Sequence, residues 1–277
     1  MRRLILISLS IFLISAVAAT GLIAYGVGNG YFQGPFDRSD FPRVPWLRMG
    51  EEQVPFREEQ EISLEEISVL ELEVEYGNLK VLSGPDGPAL LTVTGKVPPG
   101  DHPDISVSSD GSRSFIRVRA GHPLRGSEEL EISLVLPSKA LKLLDVSLDM
   151  GNLDISYDLA ERTSAELSMG NLRADGNFGD LSLQTHMGNT TVRGSVRHLE
   201  AECNMGNLTM YLESYDRLKA NVDLGNIDLT LSDPGDARIY ATASMGTVQV
   251  PDHLSGSRQD STGMLETEAG DITVREE

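Results

Sequence analysis

From Leu144 onward, apolar residues fall on every second position in short runs that each stop at a glycine. Leu144, Val146, Leu148 and Met150 precede Gly151; Ala165, Leu167 and Met169 precede Gly170; Leu181, Leu183 and Met187 precede Gly188. The pattern continues with Leu199, Ala201, Cys203 and Met205 before Gly206, Leu218, Ala220, Val222 and Leu224 before Gly225, and Ile239, Ala241, Ala243 and Met245 before Gly246. A period of two is the signature of a strand with one buried face. Beyond each glycine the apolar set resumes, at Leu153 and Ile155, Leu172 and Ala174, Val192, Leu208 and Met210, Ile227 and Leu229, and Val248 and Val250. The parity breaks at the two residues in between. This predicts a bend or bulge at which the chain turns a corner while its apolar face, methionines included, stays inward.

The corner is the same dipeptide almost every time. Gly-Asn occurs as Gly77-Asn78, Gly151-Asn152, Gly170-Asn171, Gly188-Asn189, Gly206-Asn207 and Gly225-Asn226, followed by the decayed copies Gly246-Thr247 and Gly270-Asp271. From Gly151 to Gly225 the steps are 19, 18, 18 and 19 residues, then 21 and 24. So short a period is one turn of a solenoid. Gly accepts positive φ without steric strain, and Asn is the next most tolerant. In a stack, equivalent residues lie ~4.8 Å apart, so the asparagines are expected to form a column in which each amide bonds its neighbours. A lone coil buries too little apolar surface to offset the ordering of its backbone, hence the need for neighbours. The opposite corners, such as "YDLAERT", "RADGNFGD" and "SDPGDAR", are polar and variable in length.

Four segments follow: residues 1–28 as a transmembrane anchor or signal segment, 29–60 as a Pro-rich tether, 61–140 as β-rich, partly antiparallel capping coils, and 141–277 as the solenoid repeats. Arg2 and Arg3 precede an uncharged run from Leu4 to Val27, long enough to cross a ~30 Å hydrocarbon layer. The positive-inside rule leaves the amino terminus cytoplasmic and the folded part outside. Ala16-Val17-Ala18 also fits a signal-peptide cleavage site, but the segment stays apolar well past it, which favours an anchor. In the tether, Phe36, Phe41 and Trp46 suit either the membrane interface or packing on the folded part.

Acidic residues outnumber basic ones 42 to 23, giving a net charge of −19. That repels phosphate backbones, so no nucleic-acid partner is expected. The single cysteine, Cys203, excludes an intrachain disulfide.

The opening strand pair "LELEVEYGNLKVLSG", the "SMGNL" and "NMGNL" corners and the amino-terminal apolar segment together resemble a bacterial family called putative adhesins, of unknown function, related to head-GIN autotransporter adhesin domains. The likeness covers about residues 65 to 275. It implies an all-β, right-handed parallel β-solenoid, encoded in some genomes beside envelope-stress operons. No catalytic residue is known in that family, so none is carried over. The run of methionines before Gly departs from its pattern.

Candidate chemistry is sparse. No phosphate loop, nucleophile elbow or zinc-protease helix occurs, and Asp175 opens one weak approach to a calcium-roll repeat. Met150, Met169, Met187, Met205 and Met245 share a column near Cys203 and His186. Soft sulfur ligands select copper(I), but an inward ladder of flexible apolar side chains explains the column more simply. His102, His122, His198 and His253 are scattered among turn residues. Asp149, Asp154, Asp223 and Asp228 flank corners on outward positions, where paired carboxylates would suit a glycan-active lyase or hydrolase. Asn189 and Asn207 also head glycosylation sequons, whose amides a ladder would occupy. No catalytic, cofactor or metal residue is assigned. The expectation is a non-enzymatic, single-pass protein of the cytoplasmic membrane, its acidic solenoid outside and meeting an envelope protein or glycan. The alternatives are a glycan-active enzyme and a periplasmic sensor domain.

Overall fold

A computed structural model describes residues 53–100, 102–119, 130–137, 141–156, 160–259 and 261–277. The anchor, most of the tether, Phe36, Phe41, Trp46 and His122 lie outside them. Among the described residues there is no helix and the fold is all-β, a single 15-stranded sheet. Its strands are β1 (Val54–Ile62), β2 (Val69–Ser83), β3 (Ala89–Val97), β4 (Asp104–Asp110), β5 (Arg113–Arg119), β6 (Leu130–Leu136), β7 (Leu141–Ser156) and β8 (Ala160–Met187). They continue with β9 (Thr190–Met205), β10 (Leu208–Leu224), β11 (Ile227–Leu231), β12 (Ile239–Met245), β13 (Val248–Gln249), β14 (Gly263–Ala269) and β15 (Ile272–Glu276). The first strand begins inside the stretch that the sequence assigned to the tether. Its residues Gln60, Glu61 and Ile62 pair with Leu91, Leu90 and Ala89 of β3.

From β2 to β10 every step is parallel and in register by equivalent residues. Gly77 pairs with Gly151 and Gly151 with Gly170, each Asn beside the next. β8 runs 28 residues through two corners. Its first half pairs with β7 and its second half with β9, so the ribbon meets itself about one period on. The inner rungs bury the same five slots, filled by Leu144, Val146, Leu148, Leu153 and Ile155 in β7 and by Leu218, Ala220, Val222, Ile227 and Leu229 in β10 and β11. Polar residues enter three of these slots. Thr163, Thr185 and Thr190 are buried, and the Thr185 and Thr190 hydroxyls bond each other at 2.7 Å.

The sheet is mixed rather than uniformly parallel. β5 and β6 lie parallel along the outer edge of β2, and antiparallel strands cover them in turn: β4 on β5, β3 on β6, and β1 on β3. Antiparallel partners cover the edge that parallel strands leave open: β4 and β5 form a hairpin, whereas β1 meets β3 and β3 meets β6 across intervening strands of the chain.

The other end departs from sequence order. β14 pairs with β10 on one side and β12 on the other, and β15 lies between β11 and β13. The last segment of the chain therefore slots between the rung of Gly225 and that of Gly246. The backbone N–H of Gly225 donates to Ala269 O and that of Gly270 to Met245 O, both at 2.9 Å. Buried apolar residues explain the exchange. Leu265, Ile272 and Val274 of β14 and β15 are buried and complete an inner rung, whereas Ala241, Ala243 and Val248 are only half-buried or exposed and suit an end.

Glycine is obligatory at the corner for two reasons. Gly188 has φ of 141°, and a Cβ built on it would stand 1.5 Å from the carbonyl oxygen of Gly170. The rungs touch backbone to backbone there. Gly188→Ala should cost more than about 3 kcal/mol, read as the urea unfolding midpoint. Gly87, with φ of 147° and nothing within 4 Å of its virtual Cβ, should lose only about 1–2 kcal/mol as Ala, from backbone strain alone. Equal losses would mean that the stacked contact contributes nothing.

Candidate functional site: the corner ridge and its amide ladder

The methionines do not face inward. Met150, Met169, Met187, Met205, Leu224 and Met245 are 39, 40, 37, 45, 52 and 67% exposed. The parity break falls before the methionine, not after it. Leu148 pairs with Leu167 and Met150 with Met169, while Asp149 between them drops out of the ladder. Asp149 and Met150 are thus consecutive outward residues, and the inward set restarts at Leu153. At the inside of the corner the buried Leu148 and Leu153 fill the space, and a methionine has to lie on the convex side. The result is a row of half-exposed apolar side chains, one on each successive rung.

Cys203 belongs to the interior instead. It is buried, its thiol donates to Gly188 O at 3.4 Å, and burial pushes its pKa up, with Asp223 adding to the effect. His186 lies on the outer wall between Glu166 and Asn204, each at 3.3 Å. The structure therefore does not bring Cys203 to the methionine row. Among the described residues no group of three or more His, Cys, Asp or Glu is placed to hold a metal ion.

Next to the ridge runs a column of side-chain amides. Asn152 Nδ2 donates to Asn78 Oδ1 at 2.8 Å, Asn171 to Asn152 at 3.0 Å, Asn189 to Asn171 at 3.3 Å and Asn207 to Asn189 at 3.2 Å. Backbone N–H groups join in further along. Those of Asn207 and Asn226 donate to the side-chain oxygens of Asn189 and Asn207, and that of Asp271 to Asn226 Oδ1. At the far rung Asp271 Oδ1 accepts from both the N–H and the hydroxyl of Thr247 at 2.8 Å. At the other end Asn78 Nδ2 donates to the Glu131 carboxylate at 2.7 Å. All these donors point toward the β2 end, so their dipoles add.

Two shallow depressions lie on the outer walls, one beside the corner and one toward the start of the long strands. One, of about 460 Å³, lies along the ladder and is lined by Asn152, Asn171, Asn189, Lys80, Asp154 and Arg173. Arg173 is held in its charged form by the hydrogen bond to Asp175 at 2.6 Å, which outweighs its desolvation. The other, about 580 Å³, lies on the outer wall of the long strands between Arg162, Asp180, His198, Glu200, Arg217 and Lys219. Asp180 is its hub. Burial acts to raise its carboxyl pKa, and hydrogen bonds from Arg197 at 3.1 Å and His198 at 2.8 Å prevail to lower it. Lys219 is raised by Glu200 at 2.5 Å. Sequence reading passed over Asp180; its one signal was a loop position one residue before the inward Leu181.

The four outward aspartates stand in two columns, one on each side of the corner. Asp154 and Asp228 share a column but Arg173, Thr191 and Thr209 stand between them. Four rungs at ~4.8 Å separate them by about 19 Å, against the ~5–9.5 Å of paired glycosidase carboxylates. Asp149 and Asp223 are as many rungs apart on the other side of the corner. Two other histidines are tied to neighbours: His102 stacks obliquely near Phe56 at 6.0 Å, and His253 pairs with Glu276 at 2.6 Å.

The Asp271 carboxyl is lowered below its ordinary 3.8 by the Thr247 backbone and hydroxyl bonds. Its contribution is therefore complete above that ordinary value and is lost as pH falls through the lower folded value. Asp271→Asn keeps an acceptor for Thr247 but cannot titrate. Between pH 5 and 2 the parent should lose more urea stability than this variant; identical losses would show the carboxylate to be uncoupled from folding.

No protein-family model matches the chain, and no curated protein matches it. Solved structures do align with it. A putative cell adhesion protein from Clostridium sporogenes is 12% identical, over 81% of this chain and 100% of that one, with a TM-score of 0.39. A putative adhesin from Bacteroides fragilis is 14% identical over 81% and 97%, with a TM-score of 0.34. A putative lipid binding protein from Parabacteroides distasonis is 12% identical over 80% and 96%, with a TM-score of 0.25. Likenesses this distant carry no function to the present chain.

Proposed function

We propose that this chain is a non-enzymatic protein of the cell envelope, a right-handed β-solenoid with coils of 18 to 19 residues. In this reading residues 1–28 anchor it in the cytoplasmic membrane, 29–60 hold the spacer and, from Val54, the start of the first strand, 61–140 cap one end, and 141–277 present an outer surface on the extracytoplasmic side. Its task is to hold an envelope protein or glycan, in adhesion, assembly or the response to envelope stress.

The observation that carries this reading is the row Met150, Met169, Met187, Met205 and Leu224. Five exposed apolar side chains on consecutive rungs are a contiguous patch, not scattered surface residues, and such patches mark sites of contact. Methionine adapts its shape to what it meets. Beside it, the amides and the charged side chains of Lys80, Arg173 and Asp154 supply hydrogen-bonding groups at each rung. An extended polymer laid along the stack would meet the same chemistry every ~4.8 Å. The acidic excess keeps nucleic acid away from this surface. The four rungs, about 19 Å, between the two aspartates of each column speak for binding over glycosidic cleavage by a pair drawn from one column.

The test uses the full chain in lipid nanodiscs, with bacterial sacculi and solubilised envelope proteins as separate probes. Parent protein should bind one of the two, and Met169→Gln/Met187→Gln/Met205→Gln should bind at least ~10-fold more weakly, about 1.4 kcal/mol. Undiminished binding by the triple variant would remove the ridge from the interaction. Release of new reducing or unsaturated ends from the sacculi would replace this reading with the enzymatic one.

A further inference from the structure

The rung of Gly246 ends the stack, and its edge is made unlike any other. β12 and β13 pair with β14 and β15 on one side only. On the other side a short loop covers the first residue: Ile239 N–H donates to Leu254 O at 2.7 Å and Ile239 O accepts from Gly256 N at 2.9 Å. Alternate residues of a strand direct their N–H and C=O to the same side. Ala241 and Ala243 therefore aim theirs outward as Ile239 does, and among the described residues no strand pairs there.

Exposed edges are ordinarily defended by charge, proline or a covering element. Here the twelve residues from Ile239 to Val250 contain neither a charge nor a proline. The contrast with the adjacent rungs is local. Thr242 lies beside Glu266, and Ser244 occupies the wall position that Glu268 and Asp223 hold on the next two rungs. Met245 and Val248, on the same rung, are 67 and 41% exposed.

We infer that this edge joins a second copy of the same chain, β12 against β12 in antiparallel fashion about a two-fold axis. Two chains of net charge −19 repel over most of their surfaces. The rung whose own residues are uncharged is where they can approach, and among the described residues the one cation over it, Arg258 at 5.9 Å from the Tyr240 ring centre, is paired with Glu266 at 3.5 Å. Antiparallel pairing makes the contact self-complementary, because a two-fold axis reverses strand direction. The outward N–H and C=O groups of Ala241 and Ala243 then find partners, and the small side chains Ala241, Ala243, Ser244 and Gly246 allow close approach. The outer strands of the opposite end, β1 and β4, are edges too, but they are defended by charge: Arg57, Glu58, Glu59 and Glu61 in β1 and Asp104 and Asp110 in β4. The inference is independent of what the methionine ridge binds.

Sedimentation equilibrium of the full chain in density-matched detergent reads the outcome. The parent should show a concentration-dependent monomer–dimer equilibrium. Thr242→Lys/Ser244→Lys and Thr242→Glu/Ser244→Glu should each be at least ~10-fold weaker in self-association, since like charges across a strand pair repel, and an equimolar mixture of the two should recover the dimer. Ala243→Pro removes one outward N–H and leaves the β14 ladder intact; it should be monomeric with an unchanged far-ultraviolet β signal. A parent that stays monomeric over the whole range, or a dimer indifferent to all three variants, would overturn the inference. Recovery in the mixture also rules out misfolding as the reason each charged variant is monomeric.

Discussion

The sheet rests on one contact: peptide groups of successive rungs meeting where a side chain would otherwise stand. The would-be Cβ atoms of Gly151, Gly170, Gly188, Gly206 and Gly225 lie 1.5 to 1.8 Å from the carbonyl oxygen of the glycine on the preceding rung. That spacing admits hydrogen and nothing else. Once glycine is fixed at the corner with positive φ, the rungs must superimpose at that point. Superposition then aligns everything within a few residues of it: the five buried slots, the amides one position on, and the methionines one position back. The regularity of the outer surface is thus a by-product of a constraint on backbone approach.

The same constraint decides what could be read from the amino-acid order. Alternation and the recurring Gly-Asn pair carry the strands and the period, because both are local. The orientation of the methionines is not local. A period of two continued through Leu148 places Met150 inward, and only the dropped partner at Asp149 sends it outward; a bulge at Asp149 or at Asn152 leaves the same hydrophobic string. The buried Thr163, Thr185 and Thr190 were illegible for a related reason. Each interrupts the apolar period, and their shelter comes from rungs 18 or 19 residues away. The exchange of the last two rungs was beyond sequence reading altogether, since steps of 21 and 24 residues fit either order.

The amide ladder adds direction to a stack that would otherwise be nearly symmetric along its axis. A glutamine or serine could fill space at the corner, but a primary amide of the right length both donates to one neighbour and accepts from the other. With its donors all pointing the same way, the column needs an acceptor where it ends and can begin on a residue that donates without accepting from a neighbour. Glu131 supplies the first, accepting from Asn78, and Thr247 is the second, donating its N–H and hydroxyl to Asp271, whose own N–H passes on to Asn226. The decay of the motif from Asn to Asp and Thr at the last rungs follows from this polarity. At the terminal rungs the amide's side-chain donor is replaced by a backbone N–H or a hydroxyl, so a residue that accepts well suffices.

The two ends of the stack consequently solve the edge problem by different physics. At β2 the free edge is covered by the chain itself, through the β4–β5 hairpin and through β3 and β1, which lie antiparallel on β6 and β3. At β12 the chain runs back inward to build β14 and β15, leaving its earlier segment on the outside. Slotting the better apolar set inside strengthens the core, because Leu265, Ile272 and Val274 gain two neighbouring rungs in place of one. It also leaves the weakest, least charged rung as the boundary of the molecule. A sequence selected only to end a stack would place charge on that rung, where solvation is free of any penalty. Of the described strands paired on one side only, β1 and β4 carry charged residues and the rung of β12 and β13 carries none; that neutrality is what a paired edge requires, and it is the reason this end of the sheet reads as an interface and not as a stop.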